Sequence, residues 1–150
     1  MELQIIDADG HINDHACGEE IAAYMPKGNQ MAKLFPEFDH LHFRYLKQNR
    51  RPTGNPSAED WTRFLEQTEI AWTVLYPTAG LALGRIVSEQ WAVIACRAYN
   101  NWLYERFLTK NPRLRGVALL PLQDVDAAVE ELRRGVKELG MLGGDRKSVV

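Results

Sequence analysis

The sequence predicts an α/β fold of parallel strands. Three observations predict it: short apolar runs of buried-strand character, segments of helical period between them, and a regular alternation of the two along the chain. A parallel pair needs a crossover of a dozen or more residues, usually helical, and the spacing between the apolar runs supplies one each time. The alternation admits two architectures, a doubly wound sheet or part of a (β/α)8 barrel.

The first element is the run Leu3-Gln4-Ile5-Ile6-Asp7-Ala8-Asp9-Gly10-His11, apolar at its start and polar at its end, which suits a buried strand emptying into a functional loop. Residues 13–56 follow as a long irregular insertion punctuated by Pro26, Gly28, Pro36, Pro52, Gly54 and Pro56, so any helix there must be short. A connection of this length inside a compact domain is usually a lid or binding loop.

Ser57 and Asp60 form a capping pair, and Trp61, Phe64, Leu65 and Ile70 recur at helical spacing, predicting a helix over 57–69. The β-rich segment 71–76, stopped by Pro77, is a second strand. After Gly80 and Gly84, Ser88 caps a helix running to about Thr109, with Trp91, Ala95, Ala98 and Trp102 on one face.

A third strand spans 116–122, near-continuously apolar. The helix after it is capped by Asp124 or Asp126 and ends at Gly140. Val125, Val129, Leu132, Val136 and Leu139 form its apolar stripe, and Glu130 is set to pair with Arg134. Met141-Leu142-Gly143 begins a fourth strand. A complete barrel needs about 250 residues, so these 150 would hold its first half.

Composition excludes several classes. With 45% hydrophobic and 25% charged residues the chain is too apolar for a disordered protein. A net charge of −2, with 18 basic and 20 acidic residues spread along the chain, leaves no footprint for nucleic acid or an anionic membrane. The one basic cluster, Lys47, Arg50 and Arg51, sits in a Pro/Gly/Asn-rich stretch and reads as a solvated loop. No window approaches the roughly 20 apolar residues of a membrane span, and no signal-peptide pattern opens the chain, so a cytoplasmic protein is expected. Cys17 and Cys96 read as reduced thiols, Cys96 buried on a helix. No GxGxxG, P-loop or GxSxG motif is present.

The chemistry concentrates at the end of the first strand. Side chains of an extended strand alternate faces, so Asp7, Asp9 and His11 are expected on one side, with Ile6 and Ala8 on the other. Residues two apart stand roughly 6.6–6.8 Å apart at their α-carbons. Over that span a carboxylate and an imidazole can lean onto one ion at about 2.0–2.2 Å, and Gly10 between them would let the backbone approach a ligand closely. The competing reading has Asp9 capping the next loop and His11 as a hydrogen-bonded histidine at the core edge. Asp14 and Glu19-Glu20 read as surface charges, and His15, His40 and His42 as loop histidines.

These residues resemble a known family. Ile6-Asp7-Ala8-Asp9-Gly10-His11 with Asp14 three residues on is similar to the start of the amidohydrolase-related branch of the amidohydrolase superfamily, which includes aminocarboxymuconate-semialdehyde and resorcylate-type decarboxylases. Val74-Leu75-Tyr76-Pro77-Thr78, the segment 98–103, and 115–124 with its Ala-Ala-Val-Glu-Glu-Leu-Arg-Arg helix look like the same branch, over about residues 3–143.

The resemblance implies a (β/α)8 barrel binding a divalent metal, zinc or manganese, at the C-terminal strand ends. It places Asp9 and His11 as metal ligands in a carboxylate-x-His variant, with Asp14 in place of the usual Glu. Asp7 would orient the pair, and Thr78 with its loop would line the pocket. The remaining ligands and the catalytic acid–base residue of the family lie in the second half of the barrel, so no catalytic residue is assigned in this chain. Residues 144–150 lack the apolar run of a fourth strand and read as a non-native tail on a truncated coding sequence.

The function this implies is a metal-dependent hydrolase or decarboxylase acting on a small carboxylated, amide or ester substrate. The metal would either generate a hydroxide nucleophile or hold a carboxylated substrate and stabilise developing negative charge. A different class of reading is an inactive barrel fragment or interaction module, whose exposed strand edges would favour a homo-oligomer. A third is a small doubly wound binding domain with a structural Asp-x-His.

Overall fold

The computed structural model describes residues 4–28 and 56–145. The expectations for His40, His42 and the basic cluster fall outside the described residues, as does that for the side chain of His15.

The architecture is α/β with parallel strands. In chain order the elements are β1 (Ile5–Ile12), a 3-10 turn (Asp14–Cys17), the short α1 (Gly18–Ala22), α2 (Ala58–Gln67), β2 (Ile70–Pro77), a 3-10 segment (Ala79–Arg85) and α3 (Glu89–Leu103). A wider π-type turn (Tyr104–Leu108) extends α3, and β3 (Leu114–Gly116), β4 (Ala118–Leu119), α4 (Val125–Lys137) and β5 (Gly144–Asp145) follow. β2 lies between β1 and β3, and β4 pairs with β5, every pairing being parallel.

The third predicted strand is divided at Val117. The paired residues start two before the predicted 116–122 and stop at Leu119: Leu114–Gly116 pair with β2 and Ala118–Leu119 with β5, so one run of chain serves both neighbours and the strands follow one another in chain order. The fourth strand pairs at Gly144 and Asp145, just past the predicted Met141-Leu142-Gly143. Since all strands run the same way, their C-terminal ends and the loops leaving them lie on one side of the sheet.

The helices begin where their caps are written. Ser57 and Asp60 satisfy each other's backbone N–H groups in a reciprocal capping box. Ser88 accepts from the Trp91 N–H at 3.2 Å and Asp124 from the Ala127 N–H at 3.0 Å.

α3 carries the centre of the core. Trp91, Ala95, Ala98 and Trp102 are buried as their spacing predicts, and Trp102 meets Tyr99 and Phe107 with ring centroids 5.7 and 5.4 Å apart. The Trp102 indole N–H donates to Glu20, which also faces Arg106, and this docks α1 on α3.

Three expectations are corrected. β1 is not a buried strand: Ile5 and Ile6 are 57% and 46% exposed, because among the described residues β1 has a strand neighbour on one edge only. The valines of α4 do not face the core: Val125, Val129 and Val136 are exposed, while Ala128, Glu131 and Gly135 are buried. Small residues let the helix approach β4 closely, and a Cβ on Gly135 would stand 3.0 Å from that of Ala118. Glu130 does not pair with Arg134: Arg134 turns instead to Glu131 at 2.6 Å, and Glu130 faces Arg97 at 3.8 Å.

Candidate metal centre

The pairing of β1 with β2 decides where the acidic residues of the first strand go. Asp7 is in register with Thr73, but the next partners are Gly10 and Leu75, so three steps along β1 match two along β2. The extra residue is a bulge, which interrupts the uniform alternation predicted for Asp7, Asp9 and His11.

Asp7 stays with the neighbouring strand. Its carboxylate accepts from the Thr73 hydroxyl at 2.6 Å and from the Asp9 N–H at 3.0 Å. It therefore holds the backbone of Asp9, and its hydrogen bonds go to Asp9 and Thr73 rather than to the imidazole of His11. Gly10 has a packing reason within the sheet: a Cβ there would overlap the Thr73 hydroxyl and stand 3.0 Å from the Val74 carbonyl oxygen. The close approach it permits is that of β2.

Asp9, inside the bulge, and His11, just past it, converge. Asp9 Oδ1 and His11 Nε2 stand 3.5 Å apart, with side chains 86% and 42% exposed. Two ligands each about 2.0–2.2 Å from one ion in tetrahedral arrangement stand roughly 3.3–3.6 Å from each other, so the pair has the bite a shared cation needs. A carboxylate oxygen and an imidazole nitrogen are also donor types suited to zinc and manganese.

The other face of His11 is held from β2. Nδ1 lies 3.3 Å from the hydroxyl of Thr78, and the ring leans on Tyr76 at a centroid distance of 6.1 Å. Among the described residues, no group of three or more His, Cys, Asp and Glu gathers in metal-binding range.

Asp14 is not the surface charge its sequence context suggests. It is fully buried, and its carboxylate accepts from three successive backbone N–H groups, those of Thr78 (3.1 Å), Ala79 (2.6 Å) and Gly80 (2.8 Å). Burial pushes this carboxyl above its ordinary value, against the opposing pull of the three amides. Tyr99 lies close by, its phenol raised well above the usual range by burial and then by the charges of Asp14 and Asp145.

Around this end of the sheet sequence reasoning overlooked Tyr76, Gln123 and Asp145. Gln123 donates to the carbonyls of Leu83 and Ile86 at 2.8 and 2.9 Å, stapling the loop after β4 to the loop after β2. Gly80, Leu81, Leu83, Leu119, Leu122 and Asp145 line a small recess between those loops. The position of Tyr76, last before the strand-stopping Pro77, was the available signal; the other two had none.

The parallel strands follow one another in chain order with a carboxylate-x-His pair at the C-terminal end of the first, and the chain belongs to the amidohydrolase family, whose profile matches residues 6–149. It is 47% identical over 62 residues to gamma-resorcylate decarboxylase of Rhodococcus jostii (strain RHA1), an alignment covering 41% of this chain and 19% of that one. Among solved structures, dihydroxybenzoic acid decarboxylase from Polaromonas sp. JS666, with bound manganese and the inhibitor 2-nitroresorcinol, superposes with a TM-score of 0.64. The identity is 25%, over 95% of this chain and 38% of that one. The 5-carboxyvanillate decarboxylase of Sphingomonas paucimobilis superposes at 0.61 with 16% identity over 99% of this chain and 44% of its own, a likeness of fold.

The chain thus spans about a fifth of that curated relative and two fifths of these solved structures. No helix among the described residues is long and apolar enough to cross a membrane.

Proposed function

We propose that this chain is the N-terminal portion, about the first half, of a (β/α)8-barrel decarboxylase that acts on a small aromatic carboxylic acid, and that Asp9 and His11 are two ligands of its divalent metal. The observation that carries the reading is the 3.5 Å approach of Asp9 Oδ1 to His11 Nε2 at the C-terminal end of β1, the end of the barrel where active sites of this fold are built. The manganese of the Polaromonas relative and the gamma-resorcylate decarboxylase among the relatives support it.

A divalent ion bound there would supply a Lewis acid that orients a carboxylated substrate and stabilises developing negative charge. Asp9 would give it one oxygen and His11 its Nε2. Asp7 keeps the Asp9 backbone in place through the N–H it accepts. Leu81, Leu83 and Leu122, on loops leaving the same strand ends, supply apolar surface on that side of the sheet. Further ligands and the acid–base group would come from strands beyond β5, in keeping with the share of the relatives that this chain covers.

Manganese titration of the 15N-labelled chain tests the site, because paramagnetic broadening reports even a weak two-ligand contact. Broadening should centre on residues 9–11 and 76–78 and vanish in Asp9→Ala and His11→Ala. Equal broadening in all three proteins would end the assignment.

A second reading, a chain without activity of its own that associates through open edges, is favoured by the exposure of Ile5 and Ile6 on β1 and of Val125, Val129 and Val136 on α4. Sedimentation across a concentration series separates the two. A monomer at all concentrations speaks against the associating chain.

A further inference from the structure

We infer that Asp14 and Thr78 are positioning residues that together fix the imidazole of His11, so that Nε2 faces Asp9. The link has two steps. Asp14 holds the Thr78 peptide and the two that follow it, and the Thr78 side chain holds Nδ1 of His11.

The first step is a clamp of three hydrogen bonds on a fully buried carboxylate. The N–H groups it binds open the 3-10 segment Ala79–Arg85, and groups at the start of such a segment have no acceptor within it. Without Asp14 those of Ala79 and Gly80 would be buried and unsatisfied, so the carboxylate dictates the conformation of the chain as it leaves β2. A Cβ on Gly80 would come within 3.2 Å of Asp14 Oδ2, which shows how closely the clamp is packed.

The second step follows from stiffness. Thr78 is β-branched, so once its backbone is fixed its hydroxyl has few positions open to it. In the one observed, Oγ1 stands 3.3 Å from His11 Nδ1. His11 is otherwise half exposed, with Tyr76 against its ring, so this contact selects the ring orientation. An Nδ1–H donated to Thr78 leaves the Nε2 lone pair available, which is the state a metal ligand requires.

The inference concerns His11 itself, and only its use in metal binding rests on the function proposed above. The test therefore has a metal-free arm and a metal arm. In the metal-free chain, 13C relaxation of the His11 ring should show an ordered imidazole in the wild type, a looser one in Thr78→Ser, which keeps the hydroxyl without the β-branch, and a mobile one in Thr78→Val. An equally ordered ring in Thr78→Val overturns the inference.

Trans-hydrogen-bond couplings between the Ala79 and Gly80 amide nitrogens and the Asp14 carboxyl carbon test the upper link in the wild type, without a substitution. Their absence overturns that link. Asp14→Asn, with amide dispersion preserved away from residues 76–80, should loosen the ring as Thr78→Val does.

In the metal arm Zn2+ should coordinate His11 through Nε2 in the wild type, by ring 15N shifts, and bind about tenfold more weakly in Thr78→Val. Wild-type affinity through Nε2 in that variant overturns the inference. A ring that loosens in Thr78→Val while the wild type takes no Zn2+ at His11 sustains the positioning role and removes the metal assignment instead.

Discussion

Asn100 of α3 and Leu119 of β4 exchange two hydrogen bonds: the side-chain amide donates to the Leu119 carbonyl at 3.0 Å, and the Leu119 N–H donates back to Asn100 Oδ1 at 2.8 Å. The amide thus takes the place of a neighbouring strand at a buried point where β4 meets the helix layer. Its second N–H goes to Glu131 at 2.7 Å. Asn100→Ala would leave a backbone donor and a backbone acceptor buried without partners, each costing about 1–3 kcal/mol. A loss of about 3 kcal/mol is expected, read from urea unfolding; a loss under about 1 kcal/mol would show that water replaces the amide.

Glu131 is fully buried, yet Arg134 and Arg97 reach it from different helices and with different exposure, 22% and 49%. Arg134 makes two short bonds to it, at 2.6 and 2.9 Å, and Arg97 one at 3.3 Å. Removing the chief partner of a buried charge is costly, whereas a half-exposed pair is screened. Arg134→Ala is expected to cost about 2–4 kcal/mol and Arg97→Ala under about 1 kcal/mol, and equal losses would refute the difference.

Acid should unpick the cap of α2. Hydrogen bonds from the Ser57 backbone and hydroxyl hold the Asp60 carboxyl below its ordinary 3.8, so the folded state favours the ionised form. The stabilisation is complete above that value and is lost as the pH falls through the lower folded one. The difference in thermal midpoint between wild type and Asp60→Asn should be constant above about pH 5 and shrink below pH 4. A difference that grows on acidification contradicts the cap's role.

Neither thiol should react while the chain is folded. Cys17 and Cys96 are buried, and burial with the nearby Glu131 charge pushes the Cys96 thiol up, which removes the thiolate that alkylating agents need. At pH 8 iodoacetamide should label both at the rate of unfolding. Prompt labelling of Cys96 in the folded chain would show α3 opening on its own.

At Gly10 a methyl group has nowhere to go. Gly10→Ala would drive Cβ into the Thr73 hydroxyl and the Val74 carbonyl, displacing the bond from Thr73 to Asp7. Overpacking of this kind costs about 1–3 kcal/mol, and the Asp7 tether of Asp9 should loosen with it. Unchanged stability and an unchanged amide spectrum at Asp9 would show that β1 simply moves aside.

Local chemistry explains what was legible from residue order. Ser57, Ser88 and Asp124 announce their helices because a cap acts on N–H groups two or three residues away. The face of α3 carrying Trp91, Ala95, Ala98 and Trp102 could be read because a broad apolar face has one sensible direction. The Asp9–His11 pair was visible for the same reason, its members being two residues apart on one strand. α4 misleads because its apolar stripe competes with a stripe of small residues. The sheet takes the closer packing that Ala128 and Gly135 allow, and period alone cannot rank the two.

The sequence by itself thus determined the order and type of the elements and the carboxylate and imidazole at the end of β1. Tertiary structure alone decided that Asp14 is buried, that Gly10 makes room for Thr73, that a bulge parts Asp7 from Asp9 and His11, and that Thr78 touches the imidazole. The partners in these contacts lie more than sixty residues apart, except across the bulge, which exists only once β2 is laid beside β1. Capping and periodicity act within a few residues and survive in any fold, whereas the environment of a charge is set by whichever distant backbone comes to rest against it.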